Sequence, residues 1–450
     1  MTFERLSRAA SIPALVMSIA LYLATALPAA AVSLLRDADI EHGLTQLASP
    51  VLRAAGLSPS RVKILLVNDS KFNAFVIDNK SIFINYGLIL KMQSPEMLQA
   101  IIAHEAAHIA NGHLARRSAN LRSAKGLAGI GLALSVLAAA AGGGEAASGI
   151  ALGTQSSAIR SFLSHTRAEE SSADRSAASY LSSAGISPIA LVQVHRLFAG
   201  QELLSSSYQD PYTRSHPLTR DRIRAAQAYV SAYSGKAQKR RSDAYWFARI
   251  QGKISAFTRA PKWTLRRVKE ETFEDVRLMR EAVAYHRRSD LNKALNRINK
   301  VLAKKPGDPF YLELKGQILT ENRRWSEALS VYRTALNKAP DDALILGAYG
   351  RAQLAAGQPK AAIATLEKAR GRDTRDTRLL RDMSQAYAKL GNTGMAALVT
   401  AERYALQGRL KDAGLHARRA TDLLPRGSAP WRRAQDVLIA SERFEKGKKR

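Results

Sequence analysis

The stretch "IIAHEAAHIANGH", residues 101–113, places three histidines and a glutamate on an otherwise apolar segment. Residues 94–96, with the sequence SPE, predict a helix start just before it, because they combine a hydroxyl cap, a proline and an acid in the first turn. His104 and His108 are four residues apart, so both imidazoles leave the same face of that helix. Two nitrogen donors in this geometry are typical of a tetrahedral zinc site.

Glu105 follows His104 directly and could reach a metal-bound water without being a ligand. Zinc lowers the pKa of that water, and the carboxylate removes its proton during peptide hydrolysis. The pattern H-E-x-x-H needs a third ligand to be specific. His113 does not complete a metzincin motif, because Asn111 and Leu114 stand at the glycine and histidine positions of that motif. We therefore interpret His113 as a polar residue near the helix end.

A pair of acidic residues follows in "SHTRAEESSADRSAASYL", residues 164–181. Glu170 and Asp174 are one helical turn apart on one face. Glu170 could supply the carboxylate ligand, and Asp174 could hold a ligating histidine in the right tautomer. A solvated acidic patch is the alternative interpretation. The presence of H-E-x-x-H in the same chain favours the metal site.

The motif "HEAAH" followed by "RAEESSAD" resembles the HtpX/BepA-like zinc metallopeptidases, gluzincins of the clan that also contains the CAAX prenyl protease. The resemblance implies that His104, His108 and Glu170 bind one zinc ion and that Glu105 is the catalytic base. Ala107 departs from the family, which commonly has glycine there. Alanine is the better helix former, so the departure does not weaken the assignment.

The segment "RSHPLTRDRI", residues 214–223, resembles the His-Pro segment of the same family. This resemblance implies that His216 lies near the metal. Two roles follow: His216 could donate to the tetrahedral oxyanion, or it could occupy the open zinc position and suppress activity. A structural histidine that caps the turn before Pro217 is the alternative.

Residues 61–90 alternate apolar and polar positions with turn residues between them, which predicts a small antiparallel β-sheet. An edge strand of that sheet could hold an extended substrate through main-chain hydrogen bonds. Asn73, Ala74 and Phe75 are therefore candidate substrate-binding residues. A purely structural strand would produce the same pattern.

Residues 1–31 have the features of a cleaved signal peptide, with basic residues first, then an uncharged apolar run and small residues at the end. An uncleaved inner-membrane anchor is the alternative. The absence of cysteine agrees with export to an oxidising compartment. The family resemblance is to a periplasmic branch, so we expect the protein in the periplasm.

The metallopeptidase domain is predicted over residues 32–233, and a segment rich in glycine and alanine, residues 126–159, divides its metal motifs. We expect this segment to be a mobile cover over the zinc site, because its two ends must converge near the metal. A membrane span is the alternative, and contact of the segment with a membrane stays open.

A basic linker with one packing helix, residues 234–270, precedes a sequence that repeats every 34 residues. The repeat is marked by small residues and prolines at Ala294, Ala328, Ala362, Ala396, Gly316, Gly350, Pro306 and Pro340. This period predicts tetratricopeptide repeats over residues 271–442, with a basic tail at 443–450. In the last unit, Ala413, Ala417, Ala420 and Pro425 restart the pattern half a period early. A generic helical bundle is the alternative.

The predicted fold is mainly α with a small antiparallel β-sheet: a zincin-like metalloprotease domain followed by a tetratricopeptide α-solenoid. The predicted function is an exported zinc metalloendopeptidase that hydrolyses unfolded or misassembled envelope proteins, with a protein partner in the repeat groove. A protease-like chaperone or adaptor in outer-membrane protein assembly is the alternative. The net charge of +30 is spread along the chain without a nucleic-acid motif, which argues against nucleic acid and leaves a peripheral contact with an anionic membrane surface open.

Overall fold

The structure is a computed structural model that describes residues 33–116, 165–205, 208–217, 220–233 and 240–448. Within these ranges the chain is mainly helical, with one three-stranded sheet near its start, which confirms the predicted fold class. The predicted signal peptide, residues 1–31, and the predicted cover, residues 126–159, lie outside the described residues.

In the described residues up to 233, the first part of the chain contains the sheet and seven α-helices. In chain order these elements are α1 (Ala38–Ala54), β1 (Lys63–Val67), β2 (Ala74–Val76), β3 (Ser81–Asn85), α2 (Tyr86–Lys91), α3 (Pro95–Ala110), α4 (Arg167–Ser183), α5 (Ile189–Phe198), α6 (Pro211–Ser215) and α7 (Arg220–Tyr233). A short 3₁₀ helix, Gln201–Leu203, lies between α5 and α6.

The sheet has the strand order β1-β3-β2 and is mixed rather than antiparallel. β2 pairs antiparallel with β3, as predicted, whereas β1 runs parallel to β3, so the prediction was wrong for that pair. The reason is that β3 lies between the two earlier strands. Residues 68–80, including β2, form the crossover that a parallel pair requires, and β2 therefore becomes an edge strand.

Helix α3 forms the centre of this first part. Leu98, Ile101 and Ile102 are fully buried, and α3 contacts α1, α5 and the strands β2 and β3. An amphipathic surface helix has one polar face. Helix α3 is apolar on nearly all sides, as expected of a helix that neighbouring elements cover all round. A polar side chain on α3 is therefore enclosed by protein.

The second part of the chain contains twelve α-helices within residues 240–448. They are α8 (Arg241–Thr258), α9 (Pro261–Arg267), α10 (Glu274–His286), α11 (Leu291–Lys304), α12 (Pro309–Glu321), α13 (Trp325–Lys338), α14 (Ala343–Ala355), α15 (Pro359–Arg372), α16 (Thr377–Lys389), α17 (Thr393–Leu406), α18 (Leu410–Leu423) and α19 (Ala429–Lys448). A 3₁₀ helix, Val268–Glu270, follows α9.

The repeated glycines lie where two helices of one repeat cross. A Cβ atom added to Gly316 would come within 2.7 Å of the Tyr332 ring, and one added to Gly350 would come within 2.7 Å of Leu366. These distances are shorter than any ordinary contact between carbon atoms, so only glycine allows the helices to approach so closely. Near the end of the array, α17 packs against both α16 and α18.

Helix α8 joins the two parts of the chain and corresponds to the predicted packing helix. Arg249 is 1% exposed and forms ion pairs with Asp39 at 2.7 Å and with Asp308 at 2.6 Å. Lys253 pairs with Asp37 at 2.9 Å. These bonds connect α8 both to the start of the first part and to the repeats.

Helix α19 extends to Lys448, past residue 443 where the basic tail was predicted to begin. None of the helices in the described ranges combines the length and apolar character needed to cross a membrane.

Candidate metal centre

Helix α3 presents His104, Glu105 and His108 to the interior. The helix begins as predicted: the Ser94 hydroxyl accepts a hydrogen bond from the N–H of Met97 at 3.3 Å. His104 and His108 are 1% and 0% exposed, and their ring centroids are 4.8 Å apart. The four-residue spacing therefore brings two imidazoles together inside the protein, as the motif predicts.

Helix α4 brings Glu170 and Asp174 to the same place. A capping box between Thr166 and Glu169 fixes the start of this helix. One turn later Glu170 is 0% exposed, and Asp174 is 1% exposed. The acidic pair is thus buried against α3, which excludes the solvated-patch interpretation.

Three donor groups converge between the two helices. His104 Nε2 and His108 Nε2 are 3.1 Å apart, and Glu170 places its two oxygens 3.4 and 3.3 Å from them, respectively. Tetrahedral zinc with bonds of 2.0–2.2 Å to nitrogen and oxygen has neighbouring ligand atoms about 3.3–3.6 Å apart. The two imidazoles and the carboxylate therefore fit one zinc ion without rearrangement of the helices.

Glu105 differs from the other acids of the centre. It is 0% exposed, and neither carboxylate oxygen forms a hydrogen bond within the described residues, although Oε1 lies 3.4 Å from His216 Nε2. Burial raises the pKa of Glu105 above its usual range. An unsatisfied buried carboxylate is costly, and it is suited to accept a proton from a molecule that enters the centre.

Asp174 lies behind His104. Its Oδ1 atom is 3.0 Å from His104 Nδ1, which leaves His104 Nε2 directed to the other donors. Two residues that sequence reasoning did not identify also bind this carboxylate: His195 Nε2 at 3.4 Å and the Arg222 guanidinium at 2.7 Å. Burial alone would raise the pKa of Asp174, but the charges of His195 and Arg222 hold that pKa well below its usual range.

Arg222 also forms an ion pair with Glu170 at 2.7 Å. Although burial favours the neutral acid, nearby positive charge from His216 and Arg222 holds the pKa of Glu170 well below its usual range. Arg222 therefore helps to keep both Glu170 and Asp174 ionised. The only sequence signal was its position six residues after His216 in the His-Pro segment.

The interpretation of His113 as a polar residue at the helix end is incomplete. His113 is 1% exposed, and its Nδ1 is 2.9 Å from Nδ1 of His108. His165, another residue that sequence reasoning missed, places its ring 3.7 Å from that of His108. Burial lowers the pKa of His108 to about 3, so this imidazole is neutral and able to act as a ligand. His113 faces the nitrogen of His108 that does not point to the other donors.

His216 lies just after α6 and reaches the same donors. Its Nδ1 atom is 3.0 Å from Glu170 Oε1 and 3.3 Å from His104 Nε2, while its Nε2 atom is 3.2 Å from the carbonyl oxygen of Ala74. The rings of Tyr212 and His165 pack on it at 4.7 and 5.0 Å. The structure therefore places His216 inside the centre.

The three candidate substrate-binding residues belong to the segment of edge strand β2. Phe75 is 3% exposed and stacks on Phe83 with ring centroids 5.2 Å apart, so its side chain belongs to the core. Asn73 accepts a hydrogen bond from Asn85 N through its carbonyl oxygen. Only Ala74 faces the metal centre directly, through its carbonyl oxygen.

Known proteins show both halves of this architecture. Residues 35–230 match the model of peptidase family M48, and residues 279–343 and 319–394 match models of tetratricopeptide repeats. The chain combines a family M48 peptidase domain with tetratricopeptide repeats. This confirms the family resemblance inferred from the two motifs and the period of 34 residues.

Curated relatives share both parts of the chain. The Beta-barrel assembly-enhancing protease of Escherichia coli (strain K12) is 24% identical over 387 residues, which cover 84% of this chain and 78% of the relative. The protein of the same name from Yersinia pestis is 24% identical over 359 residues, 77% of this chain and 72% of the relative. A solved structure, MamA 41-end from Desulfovibrio magneticus RS-1, is 21% identical over 36% of this chain and 93% of its own, with a TM-score of 0.32.

Proposed function

We propose that this protein is an exported zinc metalloendopeptidase. The observation that carries the proposal is the convergence of His104, His108 and Glu170 at distances that suit one tetrahedral zinc ion. The family M48 match supports the same chemistry. Zinc bound there would supply Lewis acidity that activates a water molecule and the substrate carbonyl.

Residues of this chain would transfer the proton and orient the metal ligands. Glu105 accepts a proton from the attacking water and passes it to the leaving amine nitrogen, and its raised pKa suits that exchange. Asp174 and His113 each face the Nδ1 atom of one histidine ligand. Both ligands are therefore oriented with Nε2 towards the metal.

His216 is proposed to be a fourth donor. Its Nδ1 atom lies at hydrogen-bonding distance from Glu170 and close to His104, where a water or a substrate oxygen would otherwise bind. In this position it would hold proteolysis off until the His216 imidazole leaves the donor set. This favours, as a second function, a restrained protease that also binds proteins as a chaperone or adaptor.

The proposed substrates are unfolded or misassembled envelope proteins, and the proposed compartment is the periplasm, after removal of residues 1–31. The relatives are named for enhancing β-barrel assembly, which supports a role in outer-membrane protein assembly. The repeats would bind a protein partner, because stacked helix pairs form extended binding surfaces.

The decisive experiment compares Glu105→Gln with Glu96→Gln, which removes an acid from the first turn of the same helix α3. Zinc content by mass spectrometry and cleavage of an unfolded protein are measured for both variants. Glu105→Gln should keep one zinc and lose at least about 10²–10⁴-fold in cleavage rate. Glu96→Gln should retain both properties, and a chelator should abolish cleavage by the wild type. Wild-type cleavage by Glu105→Gln would contradict the mechanism.

A further inference from the structure

Strand β1 has an outer edge that faces away from the metal centre. The parallel register places Lys63 opposite Ser81, and Lys63 N donates to Lys80 O at 2.8 Å. Because hydrogen-bonding groups alternate along a strand, the backbone N–H and C=O of Ile64 point away from β3. Within the described residues, no hydrogen bond from another segment reaches these two groups of Ile64.

The other half of the same edge is already paired by the extended residues 33–35. Leu35 N donates to Leu66 O at 2.9 Å, and Asn68 N donates to Ser33 O at 2.8 Å, around an antiparallel bridge at Leu34. The chain then leaves the edge at Arg36 and enters α1. The outer edge of β1 therefore accepts an antiparallel strand, but this chain covers only part of it.

A cavity of about 410 Å³ lies beside the unpaired part. Lys63, Ile64 and Leu65 line one wall, and the turns before α14 and α16 line the opposite wall with Asp342, Arg372 and Arg375. Three strand residues span about 10 Å, so the cavity suits a short extended segment. It lies between the peptidase part and the repeats.

The uncompensated charge in this cavity is positive. Three of its four acids pair with arginines of the same cavity, since Arg372 binds Asp341 and Arg36 binds Asp373 and Glu41. The fourth, Asp342, accepts the backbone N–H groups of Leu344 and Ile345 at the start of α14. Arg61 and Lys63 are exposed at the strand side, and neither forms an ion pair within the described residues. An acidic segment would complement these cations, whereas a basic segment would be repelled.

We propose that this cavity binds an extended, acidic segment of a protein partner, which adds a strand to β1 through the N–H and C=O of Ile64. Main-chain hydrogen bonds would supply affinity, and Arg61 and Lys63 would select for acidic side chains. The proposal deepens the proposed protein-binding function. It gives that function a site between the two parts of the chain, at the sheet edge opposite β2, whose Ala74 carbonyl contacts His216.

The test measures fluorescence anisotropy of labelled octapeptides with the full chain in the Glu105→Gln background, so that cleavage does not consume the peptide. A peptide that alternates glutamate with valine and threonine should bind, and the same peptide with lysine for glutamate should not. Arg61→Glu combined with Lys63→Glu should weaken binding of the acidic peptide by about tenfold or more. Lys71→Glu, an equally exposed change in the β1–β2 connection, should leave binding unchanged.

Backbone pairing has its own readout. Amide hydrogen exchange should slow at Ile64 when the acidic peptide binds, but not at Leu65, whose N–H points to β3. N-methylation of alternate peptide amides should abolish binding. Equal binding of both peptides, an equal effect of Lys71→Glu, or unchanged exchange at Ile64 would overturn the proposal. None of these outcomes depends on zinc or cleavage, so the proposed peptidase activity is tested separately.

Discussion

The metal centre and the repeats bury carboxylates in opposite ways. In the repeats, Asp308, Asp342 and Asp376 recur every 34 residues, and each accepts hydrogen bonds from backbone N–H groups at 2.9–3.1 Å at a helix start. In the metal centre, Glu105 is fully buried, and its oxygens form no hydrogen bond within the described residues. A satisfied acid stabilises its helix. A buried carboxylate without hydrogen bonds costs stability, and its oxygens stay able to accept a proton from a molecule that enters the centre.

The arginines that pair with buried acids also differ between the two regions, and this difference predicts the largest change in the free energy of unfolding. Arg222→Met leaves Glu170 and Asp174 buried without their shared cation, which should lower the free energy of unfolding by roughly 3–5 kcal/mol in the metal-free protein. Arg351 pairs with Asp382 in the repeats, but its side chain is 38% exposed. Arg351→Met should therefore cost only about 0–1 kcal/mol. Urea unfolding measures both, and equal costs would break the comparison.

Close packing of the repeats predicts an intermediate effect. Gly316→Ala places a Cβ atom against the Tyr332 ring, which should lower the free energy of unfolding by about 1–3 kcal/mol. Gly371 is the matched control, because a Cβ atom there meets nothing within 4 Å. Gly371→Ala should raise stability by about 0.4–1 kcal/mol. Thermal unfolding followed by circular dichroism tests the pair, and a neutral Gly316→Ala would show that the helices can separate.

The smallest expected effect is a pH dependence within α12 that tests whether the repeats satisfy all their acids. Burial raises the pKa of Glu313 from 4.5 to about 7. A carboxyl group with a raised pKa favours the folded state at low pH, and this stability is lost as the pH rises from about 4.5 towards 7. Glu313→Gln should remove this loss of unfolding free energy. We expect the loss to be about 1 kcal/mol, because the Glu313 side chain is partly exposed and water screens its charge.

Asp308, at the start of the same helix, has a pKa shift in the opposite direction and therefore the opposite pH dependence of stability. Burial raises the pKa of Asp308, but the hydrogen bond and the charge of Arg249 lower it by more. The pKa of Asp308 therefore lies below its usual value. Its contribution is present above about pH 4 and is lost only in stronger acid. Asp308→Asn should thus leave the slope between pH 5 and 7 unchanged. Urea unfolding at several pH values separates the two variants, and matching slopes would refute the assignment.

The sequence by itself determined the features that depend on local spacing. Histidines four residues apart share a helix face whatever surrounds them, and a period of 34 residues implies stacked helix pairs before any contact is known. The ligand candidates His104, His108 and Glu170, and Asp174 behind them, could be named for the same reason. The zinc roles of these residues stay a prediction until metal binding is measured.

Only the tertiary structure decided which distant residues surround the metal centre. Arg222, His195 and His165 were missed because nothing in their local sequence requires a partner. Their contacts arise when α4 and α5 pack on α3 and α7 packs on α4 and α5. The parallel β1–β3 pair was missed for a related reason. Alternation of apolar residues specifies a strand but not its direction, which the crossover through β2 sets.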